Sequence, residues 1–592
     1  MDILSLVNAL LVIVCVGFII FVHELGHFLA AKKVGIRVEV FSLGFGPRIL
    51  GFRRGNTDYR LSAFPIGGYV KMAGENPGDL KTDSSEEFHH KTVGQRAFVL
   101  SAGVVMNLLS AVVLFPILFR LGVPFAEPLI GKVDVGSPAW VAGLETGDRV
   151  ISVDGDPVFK FDDIGTYTAL SSPGVGLDVE VERRGEHQTI HVVPRIDESR
   201  GMLTMGVLPL AELDVDPDSE AYRRGLRTGD IPVSLNGEPI DGYKFQEPLP
   251  PFPDPVTLGL LRGDEHVEVE LQPGVVESKV HRLGVLALRN KLLAVRGGGF
   301  DSLRDGDIVE VANGRPVYDP EGFRAVVEAA GPGGTVSLQV TREGEPRALV
   351  LAVPNDRPLD GWLENMAWGS DFDNRVVPVE GAPAAVAGIQ PGDRIVRGGG
   401  MRINDYSDIQ KMMSDFDGKG ALDLEVMRDG ASLGITVEPD LWTHASLGFD
   451  LRYRTYLLRK SNVLDACRAG FQNTAIEFAR VFSVLHRMIF TRSVSPKNLG
   501  GPVTIVATLY RFAEIGFTKL LYIVALLSIN LAVFNLLPIP VLDGGQLLFL
   551  LIEKVKGSPV NERVMGLFQW AGLLLIIALL LFVTFQDIRR EL

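Results

Sequence analysis

The sequence predicts a polytopic α-helical membrane protein of about four transmembrane helices, with an inserted extracytoplasmic tandem of small α+β domains. Three observations carry this prediction. Long apolar runs lie at both ends of the chain, the first of them holds a pair of metal-ligating histidines, and a fourfold repeat separates the second run from the third.

The first run, Ile3 to Phe21, is apolar apart from Ser5 and Asn8 and is long enough to cross the hydrocarbon core. It leads into Val22-His23-Glu24-Leu25-Gly26-His27. On a helix His23 and His27 share one face, so both imidazoles can reach one Zn²⁺ with Glu24 beside it as a general base. A catalytic zinc takes three protein ligands and a water, so a third ligand is expected elsewhere in the chain. The bland alternative is two histidines hydrogen-bonded at the bilayer interface.

Composition bounds the rest. The 592 residues suffice for several domains, and 46% hydrophobic residues with 65 glycines fit spans joined to glycine-punctuated globular units. A net charge of −14 argues against nucleic acid as a partner. The two cysteines, Cys15 and Cys467, exclude a disulfide framework. Without a basic n-region or a small-residue cleavage pattern, the first run is expected to be retained rather than removed.

Further apolar segments near 96–119, 517–537 and 566–585 complete the four expected spans. Lys32, Lys33, Arg37, Arg48, Arg53 and Arg54 follow the first span, so loop 32–95 is expected in the cytoplasm, with both termini and the central block outside. Within that loop, 38–47 and 59–72 read as short strands broken by glycine and proline. They leave an open edge able to take an extended peptide, unless they form an ordinary hairpin over the site. Asn107 in the second span either faces the site or joins helices.

In the central block a glycine-aspartate turn recurs at Gly147-Asp148, Gly229-Asp230, Gly306-Asp307 and Gly392-Asp393. A closing hairpin recurs after it, around Arg183, Arg262, Arg342 and Arg428. The period is about 80 residues, the size of a small domain. These units resemble PDZ domains, with Asp154-Gly155, Asn236-Gly237 and Asn313-Gly314 in the pattern and Gly398-Gly399-Gly400 departing from it in the fourth. The first and fourth show a helix start before the turn, at Gly136-Ser137-Pro138 and Gly381-Ala382-Pro383; the third does not. The resemblance implies binding of peptide C-termini by strand addition, with the second and third units as possible spacers. Expected boundaries are 1–123 for the first half of the membrane core, then 124–196, 197–275, 276–356 and 357–442 for the repeats. Juxtamembrane helices over 443–515 and a second half of the core over 516–592 follow. Apolar residues at helical spacing from Val463 to Leu485 suggest an amphipathic helix lying on lipid or against the repeats.

The third span ends in Asn535-Leu536-Leu537-Pro538-Ile539-Pro540-Val541-Leu542-Asp543-Gly544-Gly545. Two prolines stop the helix and two glycines permit a sharp turn, and broken backbone at membrane depth is tolerated only inside protein or at a wet cavity. Asp543 therefore fills the expected third ligand position, although an isolated aspartate there would read as an interfacial cap. Together with the Pro65-Ile66-Gly67-Gly68-Tyr69-Val70-Lys71-Met72 loop, these motifs resemble the site-2 protease family of intramembrane zinc endopeptidases, and most closely its bacterial regulator of sigma-E protease type.

The resemblance implies Zn²⁺ held by His23, His27 and Asp543, with Glu24 catalytic and Gly67, Gly68, Asn107, Asn535 and Pro538 near the substrate. It implies a bacterial inner-membrane enzyme that makes the second cut in a transmembrane, anti-sigma-factor-like protein. Clearance of signal-peptide remnants or a non-catalytic PDZ scaffold are the alternatives. The chain departs from those relatives in carrying four PDZ-like units and in Gly103-Val104, where they commonly have Gly-Pro.

Overall fold

The computed structural model describes all residues except 1–2, 76–83, 198–201, 247–248, 250–251, 253, 371–372, 492–499, 559 and 592. The chain divides into two compact units, one of Met1–Phe125, Ile196–Leu203 and Thr455–Leu592, the other of Ala126–Arg195 and Thr204–Arg454.

In the first unit, four helices among the described residues are long and apolar enough to cross a membrane: Leu6–Lys33, Val93–Leu121, Phe517–Leu536 and Arg563–Asp587. The first two pack closely because Gly26 has no side chain; a Cβ there would lie 2.3 Å from the Ala102 carbonyl oxygen. Thr92 opens the second with a reciprocal capping box to Gln95. Between these spans run two strands, Val38–Arg54 and Thr57–Met72, longer than the short strands expected. Repeated register shifts fold them back on themselves. The stretch Val40–Leu43 pairs with Asp58–Leu61 on one side and with Gly68–Lys71 on the other. Gly68–Met72 is thereby left as an outer rung, and no other described strand pairs with it.

The helix Val463–His486 forms where the apolar spacing places one, and one of its faces packs on the second span. Gly470 packs against Pro116 of the second span, with an ideal Cβ only 2.4 Å from the ring, and Phe478 and Leu485 join a core with Phe115, Phe119 and Tyr522. Phe471 and Val463, on the expected apolar face, are exposed. The buried positions are instead the small residues Ala466, Gly470 and Thr474, followed by Glu477 and Leu485, and at Gly470 the close approach of the second span leaves no room for a side chain. Residues 443–458, expected to be helical, carry strands instead, among them Asp450–Tyr453 and Thr455–Leu458.

In the second unit each repeat has its own apolar core. Each also has one fork in which a partly exposed hairpin arginine donates to both oxygens of the buried turn aspartate. Arg183 grips Asp148, Arg262 grips Asp230, Arg342 grips Asp307 and Arg428 grips Asp393, with Nε to Oδ1 distances of 2.6 to 2.8 Å. The fork holds each guanidinium pKa above its ordinary value, mainly through the aspartate hydrogen bond. Both halves of the repeated sequence thus meet in one interaction. The Gly399-Gly400 departure is conformationally neutral: both glycines have positive φ, as do Asp154-Gly155, Asn236-Gly237 and Asn313-Gly314.

The repeats are nested rather than laid in tandem along the expected boundaries. Repeat 1 closes Ile130–Val133 against Val207–Pro209. Repeat 2 closes Ala211–Asp214 against Asp450–Tyr453, which lie beyond the other two repeats. Repeat 4 takes Val285–Ala287 against Arg375–Pro378, while repeat 3 lies between those strands and pairs Lys291–Val295 with Met366–Gly369. A two-stranded ribbon, Gly274–Arg282 against Asp440–Ser446, carries repeats 3 and 4 as an insertion within repeat 2. A period of repeated motifs cannot reveal this, because the strand that closes each unit lies outside the period.

Candidate metal centre

Helical spacing puts His23 and His27 on one face of the first span, with both side chains buried. The bend after the third span brings Asp543 to them. Its Oδ2 lies 3.4 Å from His23 Nε2 and 3.4 Å from His27 Nε2, and the two Nε2 atoms are 3.3 Å apart. Three donor atoms therefore form a nearly equilateral triangle. Ligands at zinc's bond lengths of about 2.0 to 2.1 Å in a tetrahedral array are spaced by about 3.3 Å, so the triangle fits one such ion. Asp543 Oδ2 is buried and no protein group donates to it, as expected of an atom placed for a cation.

The surroundings fix the imidazoles. His27 Nδ1 lies 2.9 Å from the Val99 carbonyl oxygen, which can only accept, so Nδ1 carries the proton and Nε2 turns its lone pair inward. His23 Nδ1 lies 3.3 Å from the amide of the wholly buried Asn107. The Asn107 oxygen has no partner of its own. Half a turn of the amide sets that oxygen against His23 Nδ1–H and frees His23 Nε2 in the same way. Asn107 thus stands beside His23 Nδ1, within the site. Gly103 backs both rings, since a Cβ there would lie 2.4 Å from His27 Nε2 and 2.7 Å from His23 Cε1.

Asp543 opens the helix Asp543–Lys556, where the N-terminal dipole favours a carboxylate. Gly544 and Gly545 are helical and do not make the sharp turn expected of them. They are required for close approach: Cβ atoms would lie 2.3 Å from the Leu536 carbonyl oxygen and 2.1 Å from that of Ile539. Arg96 of the second span pairs with Glu553 and ties this helix down.

Glu24 follows His23, and Val70 of the outer rung donates a backbone hydrogen bond to it. A Cβ on Gly68 would lie 3.2 Å from Glu24 Cγ, so the strand passes directly by the carboxylate. Gly67, with φ of 100°, accommodates the Phe45 ring. Asn535 Nδ2 is 3.2 Å from His23 Nε2, beside the donor triangle, and Pro538 is exposed on the bend.

Sequence reasoning missed the loops that close three of the repeats. Met205-Gly206-Val207, Leu283-Gly284-Val285 and Leu447-Gly448-Phe449 each place a positive-φ glycine before a repeat's closing strand. Repeat 3 has Asn365-Met366-Ala367 there. The shared apolar-Gly-apolar pattern was the available signal. Repeats 1 and 4 add a nine-residue helix, Phe161–Ala169 and Tyr406–Ser414, where repeat 2 has only the short turn Gly242–Gln246.

The pattern described as Peptidase family M50 matches residues 11–579. The chain is 28% identical over 583 residues to the regulator of sigma-E protease RseP of Escherichia coli, covering 98% of this chain and 97% of that one. It is 28% identical to protease RseP of Yersinia pestis, again over 98% and 97%. A Thermotoga maritima protein that carries a zinc metalloprotease name is 27% identical over 97% of each chain. With a donor triangle, an adjacent glutamate and this full-length likeness in hand, the chain belongs to peptidase family M50.

Proposed function

We propose that the protein is a zinc-dependent intramembrane endopeptidase that hydrolyses peptide bonds within or near transmembrane segments of other membrane proteins. The carrying observation is the convergence of His23, His27 and Asp543 on one point, with Glu24 between them and the unpaired strand edge. A divalent cation held by those three residues would supply a Lewis acid that polarises the scissile carbonyl and acidifies a water. Glu24 accepts the proton of the attacking water on its carboxylate and returns it to the departing amide nitrogen. Asn107 and the Val99 carbonyl keep the two imidazoles in the ligating tautomer.

A helical substrate hides its carbonyls in its own hydrogen bonds, so it must be drawn out before attack. Gly67 and Gly68 lie on a free edge to which an extended strand can add, and Asn535 is placed to hydrogen-bond its backbone. Repeats 1 and 4, which keep both the glycine loop and the helix, are the ones assigned to capture of peptide C-termini. The basic residues after the first span support a cytoplasmic loop 32–95, with four spans and with both termini and the repeats outside. The sigma-E protease name borne by relatives supports a second cut in an anti-sigma-factor-like substrate.

The test is cleavage of a transmembrane reporter by detergent-purified protein, with Glu24→Gln and a chelator as the two interventions. Both should abolish cleavage. Wild type as inactive as Glu24→Gln, with no bound metal and with peptides still captured by the repeats, would leave a scaffold instead.

A further inference from the structure

We propose that Glu87, His89 and His90 form a second divalent-cation site, ahead of the second span, that takes a metal of zinc's class through one carboxylate and two imidazoles. Their ligating atoms lie within 4.8 Å of one another. His89 Nε2 is 3.3 Å from Glu87 Oε2 and His90 Nε2 is 4.0 Å from the same oxygen, while the ring centroids are 4.3 Å apart. The first distance matches two ligands of one tetrahedral ion, and His90, the more exposed ring, can close the second by rotation.

The proton on His89 makes the case chemical. His89 Nδ1 lies 3.2 Å from the Gly74 carbonyl oxygen, which only accepts, so Nδ1 carries a hydrogen. In the neutral ring, Nε2 then turns a lone pair toward a carboxylate oxygen that is also an acceptor. A cation between them reconciles the two; a second proton on the ring is the competing answer, and the experiment below separates them. Two imidazole nitrogens disfavour calcium and magnesium, which seek oxygen, and favour zinc.

The cluster is built on a backbone with no room for a side chain. Gly74 has φ of 68°, and a Cβ there would lie 2.7 Å from His89 Nδ1 and 2.8 Å from Glu87 Cβ. Phe88 is buried and donates its N–H to the Ala73 carbonyl oxygen at 2.8 Å, so the turn Phe88–His90 cannot swing away. Ala73 and Gly74 directly follow the strand that passes Glu24. A cation here would fasten the end of that strand to the segment entering the second span, whose Val99 carbonyl orients His27. Its occupancy would set how firmly the strand edge is held.

The site is tested in the full chain in detergent, with His23→Ala and His27→Ala to remove the imidazoles of the first centre, by titrating chelator-stripped protein with Zn²⁺ alone. One equivalent should remain bound, and Zn²⁺ should slow hydrogen exchange over residues 68–75. Adding His89→Ala and His90→Ala should abolish both effects. His90→Ala by itself should weaken zinc binding by roughly tenfold or more with an unchanged size-exclusion profile. No zinc bound in the His23→Ala, His27→Ala protein, as a protonated His89 predicts, would overturn the proposal. So would a zinc affinity indifferent to His89 and His90.

Discussion

Replacing Gly103 by alanine adds one methyl group, and the structure says where it goes. The new Cβ would stand 2.4 Å from His27 Nε2 and 2.7 Å from His23 Cε1, whereas ordinary contact begins at 3.4 Å. About 1 Å of displacement must therefore be found at His27. The ring has little freedom to supply it, because Nδ1 is tied to the Val99 carbonyl at 2.9 Å and His23 is flanked by Asn107 at 3.3 Å. Zinc tolerates ligand distances to within about 0.2 Å, so the shift costs a ligand. A misplacement of about 1 Å is worth about 100-fold in rate. Folding should barely register the change, since alanine gains up to about 1 kcal/mol over glycine in a helix and overpacking takes back about 1 to 3 kcal/mol. The assay is bound zinc and reporter cleavage for wild type, Gly103→Ala and Gly17→Ala, the last a control whose methyl meets nothing within 4 Å. Gly103→Ala should lose cleavage by about 100-fold or more with its thermal midpoint within a few degrees, and Gly17→Ala should match wild type. Retention of zinc and of cleavage within about twofold in Gly103→Ala would refute the reasoning from the donor triangle.

Two further predictions concern the repeats. Asp307→Ala removes the carboxylate that Arg342 grips, leaving that arginine the Ser302 carbonyl oxygen, and should destabilise repeat 3 by about 2 kcal/mol, read as faster hydrogen exchange in that repeat with the membrane helices unaffected. Because Gly274 and Ser446 pair across the ribbon, removing the residues between them and joining the ends by Asn-Gly should leave repeats 1 and 2 folded. Deletion of 276–356 should instead unfold repeat 4 by taking Val285–Ala287 from it, and equal protease resistance of the two shortened proteins would count against the nesting.

The site was more legible than its supports. His23, Glu24 and His27 announce themselves because one helical turn sets their geometry, and Asp543 because prolines at membrane depth need a reason. The groups that orient them are different. The Val99 carbonyl is invisible to any reading of side chains. Asn107 could be read either as glue or as a site residue until its distance to His23 settled which ring it serves. The sequence marks Gly544 and Gly545 as glycines of a turn, whereas they are helical and serve close approach. A glycine demanded by a positive φ and one demanded by a neighbouring carbonyl look alike in a sequence, and only the 2.3 and 2.1 Å approaches distinguish them.

The same distinction between local and distant causes governs the fold. A glycine-aspartate turn and a hairpin are local, so four copies of each could be counted along the chain. That the arginine of one half grips the aspartate of the other follows from both recurring in step, 35 positions apart in repeats 1, 3 and 4 and 32 in repeat 2. Closure of each sheet is not local. The strand that completes repeat 2 begins at Asp450, beyond two inserted repeats, and carries no mark of the unit it belongs to except Leu447-Gly448-Phe449 just before it. That turn matches Met205-Gly206-Val207 and Leu283-Gly284-Val285, each of which also precedes a closing strand. Those turns, rather than the period, mark where the closing strands of repeats 1, 2 and 4 begin. Repeat 3, which lacks the turn, sits inside repeat 4 as the one unit of the four built without that loop.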